Sequence, residues 1–291
     1  MPTSARYASA VCRTRVPGST LGLPLHAAAR FLSRGALLAV LTLSAAAANG
    51  CGTTSSASLD YGDKARQAYA DALDHFYDDE CIQAEPQFRN VRRLYPYTRF
   101  AALAELRAAD CLFKDGKYTE AIQSYEQFVR YRPSHVEVPY ARFMVALSNY
   151  QQIPSEWIFS PSTFEREQHY TRESLRLLSR FVVDFPHDPL VARANRMAHH
   201  AIRLLAAHEL YVARFYLRRD FPQAAIGRLR TLITAYPTSG YEPEALLLLG
   251  DTYVELKQWS EAKRAFAEIT QRFPKSAEVE TARSRLQRLG S

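Results

Sequence analysis

The fold class expected of this chain is all-α, an α-solenoid of five tetratricopeptide-like helical hairpins closed by a C-terminal capping helix. Three observations lead there. Aromatic–proline steps punctuate the sequence at Tyr95-Pro96, Tyr131-Arg132-Pro133, Phe185-Pro186, Tyr236-Pro237 and Phe273-Pro274. Prolines 96 and 133 stand 37 residues apart, as do prolines 237 and 274, a spacing that belongs to stacked helix-turn-helix units. Between the steps, apolar residues recur at helical spacing from about Asp60 to Leu289, with no alternating strand pattern of useful length.

The repeats can be set out in order, because two helices cross closely only where side chains are small. Repeat one, Asp63–Pro96, pairs Ala72 in its first helix with Ala84 in its second. Repeat two, Arg99–Pro133, pairs Ala109 with Ala121, followed by Tyr125 and Phe128. Repeat three, Val138–Pro186, pairs Ala146 with Ser174 once about 16 residues around Gln152–Glu167 are read as an insertion between its helices. Repeat four, Leu190–Pro237, has a long first helix reaching about Asp220 and pairs Ala213 with Ala225. Repeat five, Tyr241–Pro274, pairs Gly250 with Ala262. Ala277–Leu289 forms the cap, with Arg283, Arg285 and Arg288 facing outward. Asp115-Gly116 and Lys257-Gln258 mark turns within repeats.

Residues 1–50 contain five arginines and no acidic residue, so most of the net charge of +7 belongs to this leader. The body is near neutral, a poor match to a nucleic-acid partner. Arg30 and Arg34 precede an apolar run from Gly35 to Ala48, too short to span a bilayer and shaped like an export signal. Ala48-Asn49-Gly50-Cys51 looks like a bacterial lipobox, which makes Cys51 the expected lipid attachment site. The expected organisation is a removed signal over 1–50, a lipidated cysteine and tether over 51–60, repeats one to three over 61–186, and repeats four and five with the cap over 187–291. Cys81 and Cys111 fall at helix ends that lie side by side in such a stack. They are either a disulfide or two buried thiols.

No catalytic chemistry is legible. His199, His200, His208 and Glu209 sit on one long helix without the second histidine of a zinc protease, and no glycine-rich phosphate loop or nucleophile elbow occurs. No metal, cofactor or catalytic residue is therefore expected. A solenoid instead offers the wall formed by its first helices. Positions at i, i+3, i+7 and i+10 place Tyr69, Phe76, Leu106, Phe113, Tyr140, Phe143 and Tyr150 on that wall, a groove suited to an extended peptide rich in aromatic and aliphatic side chains.

The junction Leu94-Tyr95-Pro96-Tyr97-Thr98-Arg99-Phe100, the element Phe128-Val129-Arg130-Tyr131-Arg132-Pro133-Ser134-His135 with Tyr140, and the series Glu209, Ala213, Tyr216 resemble the BamD family. Its members are lipoproteins of the outer-membrane β-barrel assembly machinery. The resemblance runs from about Asp63 to Phe273. It implies a non-catalytic, lipid-anchored scaffold on the periplasmic face of the outer membrane. The N-terminal repeats would receive targeting segments of unfolded outer-membrane proteins. The C-terminal repeats would dock on the barrel assembly subunit and companion lipoproteins, with Arg228 at the family's interface arginine. The alternative is a periplasmic repeat lipoprotein of another envelope assembly, a cell-division coordinator or a secretion pilotin.

Overall fold

A computed structural model describes residues 55–154 and 167–290, and among these are eleven helices. Repeat one is α1 (Ser55–Tyr77) and α2 (Cys81–Leu94), and repeat two is α3 (Arg99–Lys114) and α4 (Tyr118–Tyr131). Repeat three is α5 (Val138–Gln151) and α6 (His169–Asp184), repeat four α7 (Val191–Arg218) and α8 (Pro222–Ala235), and repeat five α9 (Glu242–Glu255) and α10 (Trp259–Arg272). The cap is α11 (Val279–Gly290). The leader, Cys51 and most of the insertion in repeat three lie outside the described residues. Helix α1 starts at Ser55, inside the stretch expected to be tether. Its early turns carry the i,i+4 pair Lys64–Asp60 and the i,i+3 pair Arg66–Asp63.

The turns inside repeats one, two, four and five share one device. Asp79, Gly116, Asp220 and Lys257 each have positive φ just past the end of a first helix. The amide after each reaches back to close the helix, Glu80 to His75 O, Lys117 to Leu112 O, Phe221 to Tyr216 O and Gln258 to Tyr253 O, all at 2.8–3.0 Å. This is the Schellman closure, which satisfies carbonyls that a helix end leaves bare. Only one of the four positions is glycine, so the other three hold a strained conformation in place.

The aromatic–proline steps end the second helices. Tyr95, Arg132, Phe185, Tyr236 and Phe273 each give their amide to the carbonyl four residues back. The proline that follows each one disfavours helical backbone at that residue, and the chain turns out. Helices cross where expected. Ala72, Ala84, Ala109, Ala121, Ala146, Ser174, Ala213, Ala225 and Ala262 are at most 1% exposed. At Gly250 a methyl would stand 2.7 Å from Phe266 Cζ, so glycine there is a packing requirement.

The core is a chain of clusters. Phe88, Val91 and Tyr69 fill the first, Leu106, Tyr125, Phe128, Phe143 and Phe181 the second, and Leu229, Leu246, Tyr253 and Phe266 the third. The second and third change over within α7, between Ala198 and Ala206, so this 28-residue helix serves both halves. The cap covers repeat five with Val279 and Ala282. Arg285, expected on the outward face, instead turns to Asp251 of α9 at 3.0 Å.

Candidate protein-binding surfaces

The wall of α1, α3 and α5 sorts the expected groove residues by repeat register. Tyr69, Leu106 and Phe143 occupy one register, 37 residues apart, and are 9%, 0% and 1% exposed. Tyr69 packs against Phe88 and Phe100, and Phe143 against Phe181 at 5.5 Å. Leu106 and Phe143 therefore belong to the core and are not groove contacts. Heptad-like spacing on a first helix marks the seam toward the second helix and the next repeat, and that seam is covered. Phe76, Phe113 and Tyr150 share a second register near the ends of α1, α3 and α5, and all three are half-buried. Lys114 Nζ sits 4.1 Å above the Phe76 ring and also donates to Phe76 O and Asp79. Phe113 meets Tyr118 edge-on, and Tyr150 holds His200 Nδ1 at 2.7 Å.

Between these rings lies a polar knot that spacing alone did not reveal. Asp110 on α3 is 4% exposed and accepts hydrogen bonds from Tyr125 of α4 at 2.5 Å and from Tyr140 of α5 at 2.8 Å. Arg107, one turn away, pairs with the same carboxylate and lies over the Tyr140 ring. Burial opposes the Arg107 charge, but Asp110, Tyr140 and Tyr69 outweigh it and push its pKa up. Burial also pushes the hydroxyls of Tyr69, Tyr125 and Tyr140 up, so each keeps its proton; Tyr125 and Tyr140 donate theirs to Asp110. A buried carboxylate holding three donors from three helices locks the spacing of the wall. It provides shape and hydrogen bonding, and no nucleophile.

In the C-terminal half, Arg228 of α8 is half-exposed and points its Nη1 at Glu209 Oε2 of α7, 3.3 Å away. The arginine expected at an interface thus already has an intramolecular partner, a carboxylate only 7% exposed. A cleft of about 240 Å³ opens between α4, α5 and α6. It is floored by Val129, Val145, Leu177 and Phe181 and edged by Arg142 and Arg180 on Asp184. No periodic signal announced it.

Cys81 and Cys111 are both free and buried, and their thiols lie against each other. His199 bonds to Thr238 O as His200 does to Tyr150, so these histidines serve packing between elements. Among the described residues no group of three His, Cys, Asp or Glu is placed to hold a metal ion, and no helix is long and apolar enough to cross a membrane.

The comparisons with known proteins follow the same line. Residues 244–276 match the tetratricopeptide repeat model. An outer membrane protein assembly factor BamD from Xylella fastidiosa is 26% identical over 76% of this chain and 76% of its own length. The BamD of Caulobacter vibrioides is 27% identical over 84% of this chain and 78% of its own, and that of Neisseria gonorrhoeae 26% over 72% and 79%. The model of the YfiO outer membrane lipoprotein family matches residues 62–258, from the first helix through the turn that opens α10, and the chain belongs to that family.

Proposed function

We propose that the protein is a non-catalytic scaffold of outer-membrane β-barrel assembly, held at the periplasmic face of the outer membrane by a lipid on Cys51. Repeats one to three, residues 61–186, receive the C-terminal targeting segment of an unfolded outer-membrane protein. Repeats four and five with the cap, residues 187–291, dock on the barrel subunit and companion lipoproteins near Arg228. The observation that carries the reading of the N-terminal half is the register of Phe76, Phe113 and Tyr150. Three half-buried rings recur at one position of three successive repeats, on a wall whose geometry the Asp110 knot holds fixed. An extended peptide could lay alternate side chains against them.

The test is binding of a labelled peptide ending in an aromatic residue to the chain carrying Phe76→Ala and Phe113→Ala. Each buried contact ring contributes about 1–2 kcal/mol, so the pair should weaken binding by more than tenfold. A circular dichroism melt reads the fold beside it. Unchanged affinity with an unchanged melt overturns the groove.

A further inference from the structure

The two edges of the stack differ in charge and in where they lie relative to the chain's start. At the edge of the turns inside repeats one and two, exposed Asp74, Asp78, Asp79, Glu80, Asp115 and Glu120 outnumber Lys114 and Lys117, which pair with Asp79 and Asp115. The opposite edge, where one repeat passes to the next, carries exposed Arg92, Arg93, Arg99 and Arg130. That same edge exposes Leu94 at 52%, Tyr97 at 96%, Tyr131 at 67% and Val136 at 82%. Val183 extends the row to the third junction, while the fourth and fifth junctions expose no large apolar side chain. The described start of α1 is at this edge, because Tyr61 donates its hydroxyl hydrogen to Leu94 O at 3.1 Å.

From these placements we infer that the Tyr97–Tyr131 edge of the N-terminal repeats lies against the headgroups of an anionic bilayer. The inference rests on the lipid anchor proposed at Cys51. Ten residue steps lead from Cys51 to Tyr61, a reach of about 15 Å as helix and more if extended, so an anchored chain keeps this edge near the lipid. Tyrosine prefers the interface, where its ring is shielded and its hydroxyl stays wet. Arginines around it meet anionic headgroups, and the attraction fades over a Debye length. A lipobox cysteine carries several acyl chains and anchors the chain, and a basic contact beside it fixes the orientation of the body on the surface.

The experiment uses the acylated mature chain in vesicles, with an environment-sensitive fluorophore on Tyr97→Cys or, for the other edge, on Ile82→Cys. Ile82 is 82% exposed, so both positions accept the label. In phosphatidylcholine–phosphatidylglycerol vesicles, emission at 97 should shift to the blue and lose access to an aqueous quencher, while 82 stays aqueous. Arg93→Glu with Arg99→Glu, or phosphatidylcholine alone, should reverse the shift at 97. An aqueous signal at 97 in every vesicle overturns the inference, as does protection at 82 instead. Protection of 97 that appears only when the barrel subunit is added makes the edge a protein interface, which also overturns it. Mass spectrometry of the N-terminus reads the anchor separately. If no acyl group is found, the same labels read with vesicles in excess still decide the edge.

Discussion

The contact between Arg228 and Glu209 allows structural and interfacial roles to be separated by substitution. The two groups are 3.3 Å apart, with the guanidinium 43% and the carboxylate 7% exposed. At that distance unit charges attract by about 1.3 kcal/mol in bulk water and by about 5 kcal/mol at an effective dielectric of about 20. The long contact and the wet guanidinium pull the net coupling toward about 1 kcal/mol. Arg228→Met keeps the apolar stem and leaves the buried carboxylate unpaired, which should cost about 2 kcal/mol, or roughly 4–8 °C in a body of this size. Adding Glu209→Gln removes the stranded charge and should restore most of the loss. The second readout is co-purification with the barrel subunit from solubilised outer membranes. An interface role requires that the doubly substituted chain melt close to the parent and still lose the partner. If it melts like the parent and keeps the partner, Arg228 is a solenoid residue and the interface lies elsewhere on repeats four and five. If Arg228→Met leaves the melt untouched, the electrostatic reasoning itself is wrong.

Four further outcomes follow from the fold. Gly250→Ala should destabilise by about 1–2 kcal/mol in urea, because overpacking against the fully buried Phe266 exceeds the propensity gain of alanine over glycine; a neutral result would refute the crossing argument. Lys257→Gly should stabilise by about 0.5–1 kcal/mol, since its φ of 58° is a conformation glycine adopts without strain, and a lower melt would count against it. Burial pushes the Glu242 carboxyl up, but hydrogen bonds from the Thr238 and Gly240 amides and the Ser239 hydroxyl, with its own amide, bring it below the ordinary 4.5. The stability it contributes is complete above that value and lost as pH falls through the lower folded one. The gap between parent and Glu242→Gln should therefore close in acid, and a gap that persists undiminished contradicts the assignment. Burial, then the neighbouring Cys81, pushes the Cys111 thiol up, and Cys81 is itself 4% exposed, so neither should be alkylated readily at pH 8 until denaturant is added; rapid labelling of the native chain would show the pocket to be open.

What could be read in advance, and what could not, divides along the distance over which each feature is determined. The aromatic–proline steps act on the residues beside them, and the five junctions stand where the sequence places them. Small residues twelve positions apart report a contact within one hairpin, and these crossings are buried as expected. The positions of the first-helix wall were legible only as a set. Tyr69, Leu106 and Phe143 differ from Phe76, Phe113 and Tyr150 by seven positions, two helical turns, so a heptad template cannot separate them. What separates them is how completely their surroundings cover them: the first set is buried in the seam, whereas the rings near the helix ends touch neighbours such as Phe88 and Tyr118 and stay half-buried. The Asp110 knot was less legible still, because beyond Arg107 its donors come from α4 and α5 and no local pattern joins positions 110, 125 and 140.

This has a consequence for how the wall tolerates change. Asp110 holds Tyr125 and Tyr140 through hydrogen bonds from different helices, and it lies one turn before Phe113 on α3. Asp110→Asn would keep the volume and an oxygen to accept from both hydroxyls, but it would lose the charge that faces Arg107 and set an amide NH2 against the guanidinium. The core beneath, with Phe128 and Phe181 nearly inaccessible, would still hold the repeats together. The expected result is a loss of about 3–5 kcal/mol, the range for a buried pair broken on one side, with peptide affinity falling as the wall loses its spacing. Tyr140→Phe removes one hydroxyl and keeps the ring, so it should cost only about 1 kcal/mol and leave binding nearly intact. Equal losses of stability from the two substitutions would mean that Arg107 and Asp110 are not coupled through burial. Full binding by Asp110→Asn would mean that the wall's spacing does not govern recognition.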